Sequence, residues 1–338
     1  MARQLIEVAR DAGADAVKFQ TFRAEFLVTQ SAPKARYQAR STGRKESQLE
    51  MLKRLELSET AHRVLKACCD KWGIEFLSTP FDPQSLAMLT RRIGVARIKI
   101  PSGEITNAPL LLAAARTRKP LIVSTGMCTL DDVRDALGVL AFGYQRGTAP
   151  SRAAFRVALQ SASGRRALQR NVTLLHCTTE YPARISDANL LAMDTLRDRF
   201  GLPVGLSDHT PGITAAVAAA ARGAAVIEKH FTLDRRLPGP DHWASLEPTE
   251  LVAMVRAIRE VQQCLGTAIK APVPSERRNM VIARKSLVAL RPIRRGERFS
   301  EQNVGIKRPG NGISPMCFWE WLGRRAKRSY RPDEVILK

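Results

Sequence analysis

The sequence runs to 338 residues and 37.4 kDa, enough for one large domain of ~250 residues and a small second one. A hydrophobic fraction of 44% with 25% charged residues is that of a globular protein; no apolar run approaches the ~18 residues of a membrane span, and the amino-terminal residues lack the order of a signal peptide, so neither an anchor nor a leader is expected. The net charge of +22 favours anionic ligands, but with only 6% aromatic residues, and none interleaved with the arginines, no base-stacking platform and no nucleic-acid partner is expected.

Residues 1–12 carry apolar positions at helical spacing (Leu5, Ile6, Ala9, Ala12), and Gly13 supplies a C-cap. A strand follows at 16–20, then a polar loop through Lys45. Ser58 caps a helix that runs to Lys71 and stops at Gly73. The pattern then alternates: strand 74–77, helix 83–93, strand 97–100, helix 107–116, strand 121–123, helix 130–140, strand 173–175, helix 190–200, strand 204–206, an alanine-rich helix, strand 224–227 and helix 250–265. An insert at 143–172 holds six arginines and no acid.

Seven strand-helix units opening on a helix predict an eightfold β/α barrel whose first strand is missing. A doubly wound sheet would gather its polar clusters at one switch point, whereas here they follow every strand. The barrel is expected over residues 1–266, a linker over 267–283, and a small β-rich module over 284–338, with short strands and turns at 286–289, 295–297, 303–307, 309–312 and 334–336. Residues 270–338 hold 17 Lys and Arg against 6 Asp and Glu, half of the whole excess. Six cysteines without a CxxC pair read as reduced thiols, which places the protein in the cytoplasm; Cys177, at a strand end, is read as a packing thiol rather than a nucleophile.

In parallel β/α folds the reactive groups sit at the carboxyl ends of strands. Gathering those ends gives Lys18, Gln20, Ser78, Thr79, Lys99, Ser102, Glu104, Ser124, Thr179, Tyr181, Ser207, His209 and His230. Two lysines with several hydroxyls suit a phosphorylated or carboxylated ligand. His209 and His230, at the ends of successive strands, suit a divalent ion acting as a Lewis acid. There is no GxxxxGK(S/T) loop, strand-linked GxGxxG or GxSxG elbow, which removes support for nucleotide hydrolysis, nicotinamide redox chemistry and serine hydrolysis.

The runs VKFQTF (17–22), FLSTPFD (76–82), IKIPSGE (98–104), VSTGM (123–127), LLHCTTEYP (174–182), GLSDHT (205–210), EKHFTLDRRLPGPDH (228–242) and KRPGNGISP (307–315) resemble, in order, the sialic acid synthase family. The last lies in a module similar to that family's antifreeze-like (SAF) domain. The resemblance implies a condensation of phosphoenolpyruvate with the open-chain aldehyde of an N-acylated mannosamine-type sugar, dependent on Mn²⁺ (with Mg²⁺ or Co²⁺ as substitutes). It implies that His209 and His230 bind the metal, that Lys18, Thr79, Lys99, Ser102, Ser124 and Ser207 hold phosphoenolpyruvate, and that Gln20, Thr179, Tyr181 and Asp241 serve the sugar. Catalytic roles fall to Glu104, Lys99 and Tyr181. Arg308 would reach the sugar's N-acyl group in the other subunit of a domain-swapped homodimer. Thr179 departs from the asparagine of some members, and the family's first strand is absent, so a catalytically impaired homologue that only binds ligand or partner is the alternative. The rivals are a barrel using a phosphorylated sugar, for which no second basic cluster is present, and a nucleic-acid binder acting through Arg324, Arg325, Lys327 and Arg328.

Overall fold

The computed structural model describes residues 1–43 and 46–338 and divides into two units, Met1–Gly266 and Thr267–Lys338. The first unit carries the seven expected strands: β1 (Ala16–Thr21), β2 (Glu75–Pro80), β3 (Ile98–Ile100), β4 (Leu121–Ser124), β5 (Val172–Cys177), β6 (Val204–Asp208) and β7 (Ile227–Lys229). All ladders are parallel and follow chain order. β1 pairs with β2, β3 to β7 form one five-stranded sheet, and β2 runs beside β3. This is an incomplete β/α barrel. Among the described residues β1 pairs only with β2 and β7 only with β6. Between those two free edges lies a cavity of about 580 Å³, lined from both sides, with Lys18 and Gln20 on one and Glu228 and His230 on the other.

Side chains alternate across each strand. One set packs outward beneath the helices: Val17, Phe76, Ile98, Ile100, Leu121, Val123, Leu174, Val204 and Leu206 join the large core. The other set faces the barrel interior, where Leu77, Ile122 and Leu175 form a small apolar floor. Helix starts are fixed by side chains that satisfy free backbone N–H groups. Ser58 Oγ accepts from Ala61 N (3.1 Å), Asp82 Oδ1 from Ser85 N (2.7 Å) and Asn107 Oδ1 from Leu110 N (3.2 Å).

Several expectations are corrected. The strand expected at 224–227 lies at Ile227–Lys229, because the ladder to β6 begins only where Leu206 meets Ile227; the earlier residues rise from the helix and touch β6 through Ala225 N to Val204 O at 2.8 Å. The polar loop after β1 contains short helices at Ala24–Leu27 and Arg36–Thr42, and a third, Gln48–Lys53, follows it, Phe22, Ala24, Met51 and Leu52 burying a core of their own; Lys45, the loop's expected end, lies outside the described residues. The arginine-rich insert folds as two helices, Arg152–Gln160 and Ala162–Asn171, whose Ala158 and Leu168 reach the core while the arginines stay outside.

In the second unit the expected linker contains a helix, Pro274–Ala283, opened by proline at its first position. β8 (Ser286–Ala289) pairs antiparallel with β9 (Val304–Lys307). Residues 295–297 and 309–312 form the turns, Gly296 adopting φ +85°, and Val335 makes a single bridge to Val288. Leu287, Ala289, Ile293, Phe299, Val304, Ile313, Ala326, Tyr330 and Ile336 make this unit's own core.

Candidate active site

The inward-facing residues at the strand ends form a charged cluster. Register sets Ser207 against Glu228, and Ser207 Oγ donates to Glu228 Oε1 at 2.8 Å. Lys99 Nζ lies 3.5 Å from Glu228 Oε1, and Lys18 Nζ 3.9 Å from Oε2. Lys99 Nζ also donates to Ser124 Oγ (2.6 Å) and to the carbonyl of Ile100 (3.2 Å). One carboxylate thus faces two cations, one from β1 and one from β3. Burial alone would raise the Glu228 carboxyl, but Lys18, Lys99 and Ser207 outweigh it and hold it down at about 2. Burial lowers Lys99, against the pull of Glu228.

Thr79 is buried at the end of β2, paired in register with Gln20, and its Oγ1 is the one buried side-chain atom among the described residues with no hydrogen-bond partner. Such an orphan costs about 1–3 kcal/mol unless a ligand or water satisfies it. Ser102 Oγ accepts from Gly126 N at 3.0 Å. A Cβ on Gly126 would come within 2.2 Å of Thr179 Oγ1 and 2.7 Å of Ser102 Oγ, so glycine alone lets the loops after β3, β4 and β5 meet.

Beside this cluster stand three rings. His209 and His230 have centroids 5.3 Å apart, and Tyr181 lies 4.2 Å from the first and 5.6 Å from the second. His209 Nδ1 lies 2.8 Å from the carbonyl of Thr178, which can only accept, so the ring proton sits on Nδ1 and Nε2 presents its lone pair. Cys177 Sγ is 3.8 Å from the same nitrogen. Asp241 Oδ2 lies 3.9 Å from His230 Nδ1. Burial depresses His230, against Asp241. Tyr181 is pushed well above the usual phenol range by burial and keeps its proton.

Two neighbouring imidazoles, one oriented by a backbone carbonyl, fit a divalent ion of the kind bound by nitrogen and oxygen donors. Among the described residues no three His, Cys, Asp or Glu side chains form a ready-made cage, so the chain offers the two histidines as its share of such a site.

Of the residues singled out from sequence, Lys18, Lys99, Ser124 and Ser207 converge on Glu228, while Tyr181, His209, His230 and Asp241 form the neighbouring group. Glu104 Oε2 accepts from Asn107 Nδ2 at 2.7 Å, beside a helix cap. Gln20 is exposed and lines the cavity. Ser78 points outward, bonded to Thr21 Oγ1 (2.7 Å), which bonds His62 Nε2 (2.7 Å). Arg308 belongs to the second unit, at the end of β9, and is exposed. Sequence reasoning gave no role to Glu228, nor to Tyr37, whose ring lies 4.9 Å from that of Tyr181.

A parallel β/α unit with buried cations and paired imidazoles at its strand ends has the architecture of a barrel enzyme acting on an anionic substrate. A NeuB family model matches residues 5–270 and an SAF domain model residues 284–338. The N,N'-diacetyllegionaminic acid synthase of Campylobacter jejuni is 48% identical over 336 residues, 99% of this chain and 94% of that protein. The synthase of the same name from Legionella pneumophila is 44% identical over 337 residues, 100% of this chain and 89% of that protein. The crystal structure of the N-acetylneuraminic acid (sialic acid) synthetase of Leptospira borgpetersenii, 32% identical, superposes with a TM-score of 0.65 over 82% of this chain and 84% of that one. The chain belongs to the NeuB family of sialic-acid-type synthases.

Proposed function

We propose that the chain condenses phosphoenolpyruvate with 2,4-diacetamido-2,4,6-trideoxymannose to give a legionaminic-type nine-carbon 2-keto acid and phosphate. A bond forms between the methylene carbon of phosphoenolpyruvate and the aldehyde carbon, whose oxygen becomes a hydroxyl, while water adds to the phosphate-bearing carbon, supplying the oxygen of the new keto group as phosphate leaves from it. The observation that carries the reading is the pair of lysines gathered on the buried Glu228 beside two imidazoles. Lys18 and Lys99 would neutralise the carboxylate and phosphate of the substrate, Ser102, Ser124 and Ser207 would orient them, and the free hydroxyl of Thr79 would be satisfied by the ligand. Tyr181, holding its proton, would donate to the oxygen that becomes a hydroxyl, with Glu104 as a further acid-base group. Gln20, Thr179 and Asp241 would contact the sugar. His209 and His230 would hold the divalent metal, Mn²⁺ by preference. When bound, it supplies Lewis-acid polarisation of a carbonyl oxygen.

The acceptor is proposed from the two synthases of highest identity above; a pseudaminic acid synthase of Helicobacter pylori is 30% identical over 99% of this chain. We extend the proposal to a domain-swapped homodimer in which Arg308 serves the sugar site of a partner subunit. The six free cysteines support a reducing, cytoplasmic setting. Phosphate release from phosphoenolpyruvate with Mn²⁺ tests the reading. Release with the diacetamido sugar exceeding that with N-acetylmannosamine is expected; the reverse preference moves the acceptor to the neuraminate type, and no sugar-dependent release overturns the synthase reading.

A further inference from the structure

The two candidate metal ligands come from the ends of adjacent strands, and the residue immediately before each belongs to one buried ion pair. Asp208 precedes His209 and Lys229 precedes His230; they stand opposite each other in the β6–β7 register. Lys229 Nζ lies 2.7 Å from Asp208 Oδ2, and both side chains are 1% exposed. By strand alternation the pair lies on the face opposite Ser207 and Glu228, away from the substrate side. Its remaining bonds close a ring around His209. Asp208 Oδ1 accepts from Thr210 N (2.9 Å) and Thr210 Oγ1 (2.8 Å), and Lys229 Nζ donates to the carbonyl of Thr210. His209 is therefore bracketed by two residues tied to each other and to the residue before His230.

The placement matters because β7 is short. It is three residues long, and its ladder to β6 ends at the Asp208–Lys229 position itself. Past Lys229 the backbone bonds no longer to β6 but to the segment at Leu246, His230 O accepting from Leu246 N (2.9 Å) and Thr232 N donating to Leu246 O (2.8 Å). The ion pair thus fixes the end of β7 at the point where the second imidazole must be presented to the first.

We propose that the Asp208–Lys229 pair, with Thr210, is the positioning element that sets the spacing of His209 and His230 for a divalent cation. It touches neither substrate nor metal and acts through the backbone of the two histidines. This rests on reading those histidines as metal ligands.

The test uses the full chain and Mn²⁺ alone, with affinity measured by calorimetry or electron paramagnetic resonance. Replacing both charges by apolar groups of similar volume (Asp208→Leu with Lys229→Met) leaves no unpaired buried charge, so the fold is expected to be retained. Loss of the supporting shell is expected to weaken Mn²⁺ about 10- to 100-fold, the range seen when partners of metal ligands are removed. The melting temperature and the KM for phosphoenolpyruvate, whose lysines lie on β1 and β3, are expected to stay near wild type, a split that a general loss of structure would not give. Wild-type Mn²⁺ affinity in the double variant overturns the positioning role while leaving the metal reading intact. Absence of Mn²⁺ binding by the wild-type chain overturns the metal reading, and the positioning role with it. If the double variant does not fold, Thr210→Val decides: it keeps both charges and removes the hydroxyl bonded to Asp208, with weakened Mn²⁺ binding expected and unchanged binding overturning the proposal.

Discussion

At the scale of single residues, the charges at the strand ends are mutually dependent. Removing Lys99 leaves the buried Glu228 with Lys18 alone, at 3.9 Å. Breaking a buried pair in this way costs up to about 3–5 kcal/mol, so Lys99→Met is expected to lower the denaturation midpoint. A lost charge-assisted hydrogen bond of about 1.5–3 kcal/mol corresponds to a fall of about 10- to 100-fold in kcat/KM for phosphoenolpyruvate, measurable by steady-state kinetics. His62 predicts a pH effect far from the site. Its Nδ1 donates to the carbonyl of Ser58 at 2.9 Å and its Nε2 accepts from Thr21, so the ring is held neutral, and burial depresses it below the ordinary 6.5. The unfolded chain binds a proton at about 6.5 that the folded chain refuses. The stability from His62 is therefore complete above that pH and declines as pH falls below it, by at most about 1.4 kcal/mol per pH unit. Denaturant midpoints of wild type and His62→Gln, compared between about pH 7.5 and 5.5, are expected to show the steeper loss in wild type. Much of the site was legible at this scale, because alternation carries Lys99, Ser124 and Ser207 to the inner face once their strands are placed. Glu228 was given no role because its hold on Lys18 and Lys99 depends on strands far apart in sequence facing one another across the interior, which no local pattern shows. The orphaned hydroxyl of Thr79 had no sequence signal, since it depends on what its neighbours fail to offer.

At the scale of elements, caps and punctuation made the order of strands and helices readable: Ser58, Gly73 and Asn107 stop or start helices as their side chains and backbone freedom dictate. The loop after β1 was misread because its polar composition masked short helices, one of which buries only Ala24, and the insert, for which no element was expected, forms helices that bury little beyond Ala158 and Leu168. The closeness of β6 to the chain before β7 was invisible in sequence and turns on Gly205, where an added Cβ would lie 2.1 Å from the carbonyl oxygen of Val226. Gly205→Ala is accordingly expected to push the β7 segment away from β6 and to reduce turnover more than the loss of global stability explains. Faster amide exchange confined to residues 225–232, measured by mass spectrometry, would show it; uniform exchange would not.

At the scale of the whole molecule, the excess of 11 positive charges in residues 270–338 leaves 37 Lys and Arg against 26 Asp and Glu in the rest, so each unit carries the same excess, and the smaller one carries it far more densely. A field of this sign steers anions and is screened beyond about 8–10 Å in physiological salt. The kcat/KM for phosphoenolpyruvate is expected to fall several-fold as ionic strength rises from about 20 to about 300 mM, with kcat much less affected; a salt-independent kcat/KM would show that capture owes nothing to net charge.

The free edges of β1 and β7 have a consequence for how the barrel wall behaves. Elsewhere its staves are joined by ladders or lie side by side, but across the gap Lys18 on β1 reaches Glu228 on β7 through charge alone. An anion that draws Lys18 to itself competes with the contact that holds the two staves together. Lys18 is thus shared between its contact with Glu228 and any anion that enters the site.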